Sequence, residues 1–250
     1  MKSPYLSVII PAYNEAQRIP ATLVDVDRYL SGQKFSYEII VVDGASSDNT
    51  PDIVEKMAKQ IKNLKVVRNH ENHGKGGAVR QGMLLAQGEI RLFTDADNST
   101  TLDQFAAMMP FFEGKHGEKY DVVIGSRTIK GARLDPPQPF YKKLLGKMGN
   151  LAIQALNLPG IWDTQCGFKA FTREAAERVF SLSKIEGWGF DIEVLALART
   201  MGFRIKEVPV HWVNDPNSHV TLGGYLKTFV ENATIRWWLI TDAYRIRKGK

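Results

Sequence analysis

The sequence predicts an α/β protein: a Rossmann-like, mostly parallel sheet with helices on both faces. Three observations point there. Short runs rich in Val and Ile alternate with helix-patterned stretches through the first half of the chain. The runs are apolar throughout, as strands buried on both faces are. Each run ends in a polar loop, at the strand edge where open α/β sheets bind ligands.

The elements follow in order. "YLSVII" is a strand, and 14–30 reads as a helix that Asn14 can cap. "YEIIVVD" is a second strand; in "SDNTPDIVEKMAKQI" Thr50 is the expected N-cap, with Pro51 at the first helical position. "LKVVRN" is a third strand, and "GKGGAVRQGMLLAQG" a helix closed by Gly88. "EIRLF" is a fourth, followed by a helix over about 102–112, and "DVVIGS" a fifth. Beyond the turn "DPPQP", "FYKKLLGKMGNLAIQALN" is a helix with a basic face. "DTQCGFKAF" returns to strand character, "TREAAERVFSL" and "FDIEVLALARTMG" are helices, and "RIKEVPVHW" is an edge strand, because Pro209 cannot donate to a ladder.

Composition narrows the class. With 250 residues and a net charge of +6, the chain is long enough for a sizeable core and favours anionic partners. The single cysteine, Cys166, permits no internal disulfide, fits a reducing compartment and reads as a small packing residue. No signal peptide is visible, and no stretch reaches the roughly 20 apolar residues of a membrane span.

The loops after the five strands carry the chemistry: "PAYNE", "DGASSDNT", "NHENHGKGG", "TDADNST" and "SRTIKGAR". In "TDADNST", Asp95 and Asp97 are one residue apart at a strand end, so both side chains can face the same way. Two adjacent carboxylates repel unless a proton or cation lies between them. The choice is between a solvated turn and a divalent cation, and Mg²⁺ or Mn²⁺ suits two carboxylates plus substrate phosphates. Asp43 can accept from a nucleobase N–H or simply form a turn. Lys75 sits in a glycine-rich helix start, where backbone N–H groups attract phosphate.

"SVIIPAYNEAQRI", "VVDGASSDNT", "NHGKGGAVRQG", "DADNST", "GSR" and "DTQCGFKAFTREAA" occur in that order. Together they resemble family-2 glycosyltransferases of the A fold, in particular the dolichyl-phosphate β-glucosyltransferases and the related mannose synthases. The resemblance spans about 5–215, and a single catalytic domain is expected over 1–222. It implies transfer of one sugar, with inversion, from a nucleotide diphosphate sugar to a polyprenyl or dolichyl phosphate. UDP-glucose is the favoured donor and GDP-mannose the alternative. Pro11, Tyr13, Glu15 and Asp43, with Lys75, would hold the donor nucleotide. Asp95 and Asp97, helped by Ser99, would hold Mg²⁺ or Mn²⁺. Arg127 and Arg133 would take the acceptor phosphate, and Asp163 would orient the acceptor or act as base. Asp191 and Glu193 would line the donor-sugar pocket.

The chain departs from that pattern in three places. Ser99 stands where relatives often carry Gln, Gly44 where they show a second Asp, and His219 where they place a lysine over the diphosphate. Either His219 takes that lysine's role or Lys75 or Arg204 does. Lys130 stands with Arg127 and Arg133 among the cations after the fifth strand, and Lys142, Lys143 and Lys147 read as a solvated or lipid-facing surface.

The stretch 223–250 places Leu226, Phe229, Val230, Ala233, Trp237, Ile240 and Tyr244 at helical spacing, near Arg236, Arg245, Arg247 and Lys248. An amphipathic helix on the cytoplasmic face of a membrane is expected, or one packed on protein. A sugar-phosphate nucleotidyltransferase would want a basic glycine-rich loop after the first strand, where this chain has "PAYNEAQR". A nucleic-acid-binding module would not need the acidic pair, so no nucleic acid is expected as a partner.

Overall fold

The computed structural model describes residues 3–137, 140–213 and 222–246. Nine strands and eight α-helices are defined among them: β1 (Leu6–Ala12), α1 (Ile19–Ser31), β2 (Tyr37–Asp43), α2 (Thr50–Met57), β3 (Leu64–Arg68), α3 (Gly74–Leu85), β4 (Ile90–Thr94), α4 (Phe105–Glu113), β5 (Val122–Ser126), β6 (Arg133–Asp135), α5 (Phe140–Leu156), β7 (Phe168–Thr172), α6 (Arg173–Phe180), α7 (Phe190–Thr200), β8 (Ile205–Pro209), β9 (His211–Val213) and α8 (Leu222–Ile240).

Seven strands form one sheet in the order β3-β2-β1-β4-β7-β5-β8. Every neighbouring pair is parallel except those made by β7, which runs antiparallel to both β4 and β5. The inner strands are buried on both faces, as their unbroken apolar runs require, while the edge strands β3 and β8 are only partly covered. Ile9, Val42 and Phe93 pack into one core layer, and Val8, Val41 and Leu92 into the other.

Four local expectations are corrected. Residues 14–18 are not helical: Asn14 has φ +56° and its side chain accepts from the backbone N–H of Ser47 at 2.8 Å, so α1 starts only at Ile19. Thr50 is not the cap of α2; its hydroxyl accepts from the N–H of Glu15 at 2.8 Å and bonds Asp48. Both departures have one cause, since the loops after β1 and β2 spend their polar side chains on each other. Helix α3 ends at Leu85, short of Gly88. The run "RIKEVPVHW" also divides: β8 ends at Pro209 on the sheet edge, and β9 pairs with β6 in a separate small sheet.

The antiparallel setting of β7 decides where the site lies. The carboxyl ends of β1, β2, β4 and β5 share one edge of the sheet. Because β7 runs the other way, its amino end reaches that same edge, bringing residues 163–169 beside Asp95.

Candidate active site

Asp95 and Asp97 follow the last residue of β4, and the Asp95 side chain is 20 % exposed. The backbone N–H of Ser99 donates to Asp97 at 2.9 Å, a contact favoured by the left-handed Asn98 between them (φ +57°). Ser99 itself is buried, and its carbonyl accepts from the N–H of Val213 at 2.8 Å, which fixes the turn to the end of β9.

Lys75, in the first turn of α3, points its Nζ at Asp95 Oδ1 from 2.5 Å and lies 5.2 Å from the ring centre of Trp188. Burial penalises its charge. The carboxylates of Asp95, Asp191 and Asp97 outweigh that penalty and hold the ammonium above the usual lysine value. The glycines around it serve packing first: a Cβ on Gly76 would meet the Ile185 carbonyl at 2.5 Å, and the Gly76 N–H donates to the Glu186 carbonyl. The glycine-rich start of α3 is thus pinned to the 185–190 segment.

On the far side of Asp95 lies Gly167. A Cβ there would fall 2.0 Å from Asp95 Oδ2, so only glycine lets the carboxylate rest on the backbone entering β7. That explains the glycine in "DTQCGF", which pattern reading leaves unassigned.

Arg127 follows β5 and Asp163 precedes β7. They form a bidentate pair, Nε to Oδ2 at 2.7 Å and a terminal nitrogen to Oδ1 at 2.9 Å, with the Arg127 N–H also donating to Oδ2 at 2.8 Å. Burial alone would raise the Asp163 pKa, but Arg127 holds it below the usual carboxylate range. Arg127 also lies 4.7 Å from the ring centre of Trp212. Asp163 thus carries a committed charge that aims a guanidinium.

Asp191, at the start of α7, is buried against Lys169, whose ammonium also donates to the Cys166 carbonyl at 2.5 Å. Desolvation raises the Asp191 pKa, with Lys169 and Lys75 opposing it. Lys169 is fully buried in the middle of β7 and was not anticipated. Its signal was a lysine inside an apolar strand, "GFKAF". Glu193, two residues along α7, faces the other way and accepts from Lys184 N, Ile185 N and the Tyr244 hydroxyl, the last at 2.7 Å. It holds a loop and the chain after α8, and does not line the pocket.

At the β1–β2 end, Asp43 is 2 % exposed; one oxygen accepts from Ser46 N at 3.2 Å and the other, Oδ1, is buried with no partner. Such an orphaned acceptor suits a ligand N–H. Pro11 is in β1 opposite Val42, Tyr13 is 51 % exposed, and Glu15 is paired with Arg18 at 2.6 Å. Arg133 is exposed on β6, away from a buried partner. Arg204 precedes parallel β8, at the opposite edge of the sheet, paired with Glu118, so it cannot stand in for a lysine over the diphosphate. His219 lies outside the described residues. Cys166 is buried and its thiol is pushed up to about 12 by burial, with Asp163 adding to it, which fits a packing residue.

The residues 7–180 match the model of glycosyl transferase family 2. The chain belongs to that family. Among curated proteins, this glycosyltransferase is 38 % identical over 216 residues to the dolichyl-phosphate β-glucosyltransferase of Dictyostelium discoideum, covering 83 % of this chain and 66 % of that one, about two thirds of the relative's length. It is 32 % identical over 258 residues to the human dolichyl-phosphate β-glucosyltransferase, covering 98 % of this chain and 79 % of that one. Among solved structures, glucosyl-3-phosphoglycerate synthase from Mycobacterium tuberculosis in complex with Mn²⁺, UDP and glucosyl-3-phosphoglycerate superposes with a TM-score of 0.65 at 19 % identity, over 93 % of this chain and 80 % of that one. That likeness establishes the fold of this glycosyltransferase as the A fold of its family.

Proposed function

We propose that this glycosyltransferase moves glucose from UDP-glucose to dolichyl or a related polyprenyl phosphate, with inversion at the anomeric carbon, at a membrane surface. One observation carries the reading. Asp95, next to Asp97, lies between two cations, Lys75 on the donor side and Arg127 on the other, in a chain of the dolichyl-phosphate glucosyltransferase kind.

The donor set fits a divalent cation. The Asp95 carboxylate meets the Lys75 ammonium through Oδ1 and rests against the backbone at Gly167, yet its side chain stays one-fifth exposed, which leaves it an open face for an ion. Mg²⁺ or Mn²⁺ takes one or two carboxylates and fills its other positions with substrate phosphate and water. Asp95 and Asp97 would hold the ion, Ser99 bracing the turn. Bound there, it supplies Lewis-acid stabilisation of the charge growing on the leaving diphosphate.

The chain's own residues do the rest. Asp43 would accept from the base, with Pro11, Tyr13 and Glu15 framing the nucleotide. Lys75 would neutralise the diphosphate. Arg127 keeps N–H donors beyond those given to Asp163 and would take the acceptor phosphate, assisted by Arg133. A phosphomonoester with a second pKa near 6 is already largely ionised at neutral pH and needs no strong base. Asp163, spent on Arg127, would act as a positioning residue.

The membrane reading draws on α8 and α5. Phe229, Val230, Trp237 and Ile240 of α8 are each more than half exposed, as are Met148 and Leu151 of α5. Lys147, Arg236 and Arg245 are exposed nearby in sequence. Apolar and aromatic groups fringed by cations suit the interface of an anionic bilayer, peripherally and on the cytoplasmic face. No helix among the described residues is long and apolar enough to cross a membrane.

The test uses radiolabelled UDP-glucose and GDP-mannose with a polyprenyl phosphate, with Mg²⁺, Mn²⁺ or EDTA, counting label extracted into organic solvent. Label from UDP-glucose alone, lost with EDTA and reduced about 100-fold or more in Asp95→Asn, is the expected result. Label from GDP-mannose alone would make the protein a mannose synthase, and an Asp95→Asn enzyme of undiminished rate would end the metal assignment.

A further inference from the structure

A cavity lies on the flank of the molecule, and none of the residues named above for the donor, the metal or the acceptor lines it. It has a volume of about 490 Å³ and is walled by three segments: α3 at Arg80, the turn after α6 at 181–184, and the chain after α8 at 243–245. Arg80 is five residues beyond Lys75 on α3. That sets it about 140° around the helix from the lysine and roughly 7.5 Å along it.

The lining is cationic. Arg80, Lys184 and Arg245 share the chamber, and among the described residues no acidic side chain lines it. Nor does any described carboxylate pair with Arg80 or Arg245. The wall itself is fixed. The Lys184 ammonium donates to the Ala243 carbonyl at 2.9 Å and lies 5.0 Å from the ring centre of Tyr244, whose hydroxyl is held by Glu193. Asp242 and Arg245 both take the left-handed backbone, φ +52° and +58°, a conformation that costs energy outside glycine and asparagine. The hydroxyls of Ser181 and Ser183 donate inward, to the carbonyls of Arg178 and Phe180, so recognition falls to the cations. Like charges gathered this way repel, and a bound anion relieves them. Arg245 also walls an adjoining chamber of about 230 Å³, where Leu182, Met201 and Ile246 are apolar.

We infer that this flank cavity binds the phosphomonoester headgroup of a membrane lipid, at a site separate from the one proposed for the acceptor phosphate at Arg127. The choice of a lipid rests on the membrane reading of α8 given above. Two guanidiniums can fork onto phosphate oxygens, with the Lys184 ammonium as a third charge. A monoester presents three free oxygens and a charge of about −1.5 to −2 at pH 7, which suits three cations better than a diester does. The last turn of α8, just before the cavity wall, carries the exposed Trp237 and Ile240. A headgroup held between 184 and 245 would therefore lie where that helix meets the bilayer, and the apolar chamber beside Arg245 would face the part of the lipid next to its phosphate.

Co-sedimentation of the full chain with two kinds of vesicle tests this. Both are phosphatidylcholine; one contains phosphatidic acid, the other enough phosphatidylglycerol to reach the same zeta potential. Wild type should bind the phosphatidic acid vesicles about 10-fold more tightly. Arg80→Lys with Arg245→Lys keeps the charge but loses the forks, and should bind both kinds alike. Arg80→Gln with Arg245→Gln should lose about 10-fold or more on phosphatidic acid. Lys59→Gln with Lys62→Gln, the same loss of charge at exposed positions beyond α2, should lose less than about 3-fold. A thermal melt of each variant checks folding. A wild type with no headgroup preference, a double-lysine variant that keeps the preference, or an equal loss in the Lys59 and Lys62 control would overturn the inference. Inorganic phosphate that raises the melting temperature of wild type but not of the double-glutamine variant, without any headgroup preference, would hand the cavity to a soluble phosphate and end the lipid assignment. Wild type that sediments with neither vesicle would remove the membrane reading, and the inference with it.

Discussion

Gly167 and Asp163 are the residues through which the site is most exposed to single changes. Gly167→Ala drives a Cβ into the Asp95 carboxylate, which already meets the Lys75 ammonium through Oδ1. The expected result is a folded protein, destabilised by about 1–3 kcal/mol, whose kcat/KM falls roughly 100-fold because the carboxylate shifts by part of an ångström. Initial rates beside a urea melt check it. Asp163→Asn leaves the largely enclosed Arg127, 23 % exposed, without a counter-charge and should cost about 3 kcal/mol at pH 7. The sign with pH is fixed by the lowered Asp163 pKa. Its contribution is fully present above the unfolded aspartate value near 3.9 and is lost as pH falls through the lower folded value. The gap between wild type and Asp163→Asn should therefore close as urea melts are taken from pH 7 towards pH 2; a gap that stays constant would contradict the ion pair. At this scale the sequence was partly legible. Asp43, Asp95, Asp97 and Arg127 stand at strand ends, and strand ends are readable. Lys169 and Gly167 were not, because nothing local tells that their strand runs backwards between β4 and β5.

Among the elements, α3 and α8 depart most from their sequence pattern. The glycines opening α3 suggest a phosphate cradle, but Gly76 is needed because the 185–190 backbone passes within contact distance. Helix α8 carries two apolar stripes. Ile235 is buried in the core, with Trp238 and Leu239 packed against it, while Phe229, Val230, Trp237 and Ile240 face outward. Periodicity found the outer stripe and wrongly joined Tyr244 to it; the helix ends at Ile240, and Tyr244 turns inward to Glu193. Replacing Phe229 and Trp237 with Glu should leave the melting temperature within a few degrees, because both side chains are largely in solvent already. The same change should abolish co-sedimentation with vesicles of mixed neutral and anionic lipid. Retained sedimentation would move the docking face elsewhere.

For the molecule as a whole, the alternation of strands and helices was enough to give the class, and the order of the loops enough to bring the candidate residues to one edge. What pattern could not give was the one reversed strand, since an antiparallel neighbour inside a parallel sheet leaves no mark in a short apolar run. The net charge of +6 makes a further expectation. Vesicle binding should weaken steadily with added salt, as exposed cations facing lipid phosphates are screened. Insensitivity to salt would assign the contact to the apolar stripe alone.

Helix α8 is also tied to the donor end of the site at two points. Glu231 accepts from the N–H of Gly189 at 2.8 Å, beside Trp188, and Tyr244 reaches Glu193, which grips the backbone at 184–185. The next residue, Glu186, takes the N–H of Gly76, adjacent to Lys75. The helix proposed to rest on the membrane and the lysine proposed to meet the diphosphate thus share one short span of backbone, like two levers on a common fulcrum. An enzyme wired this way would have its grip on the soluble donor sharpened wherever the oily acceptor is to be found, and idle more readily in free solution.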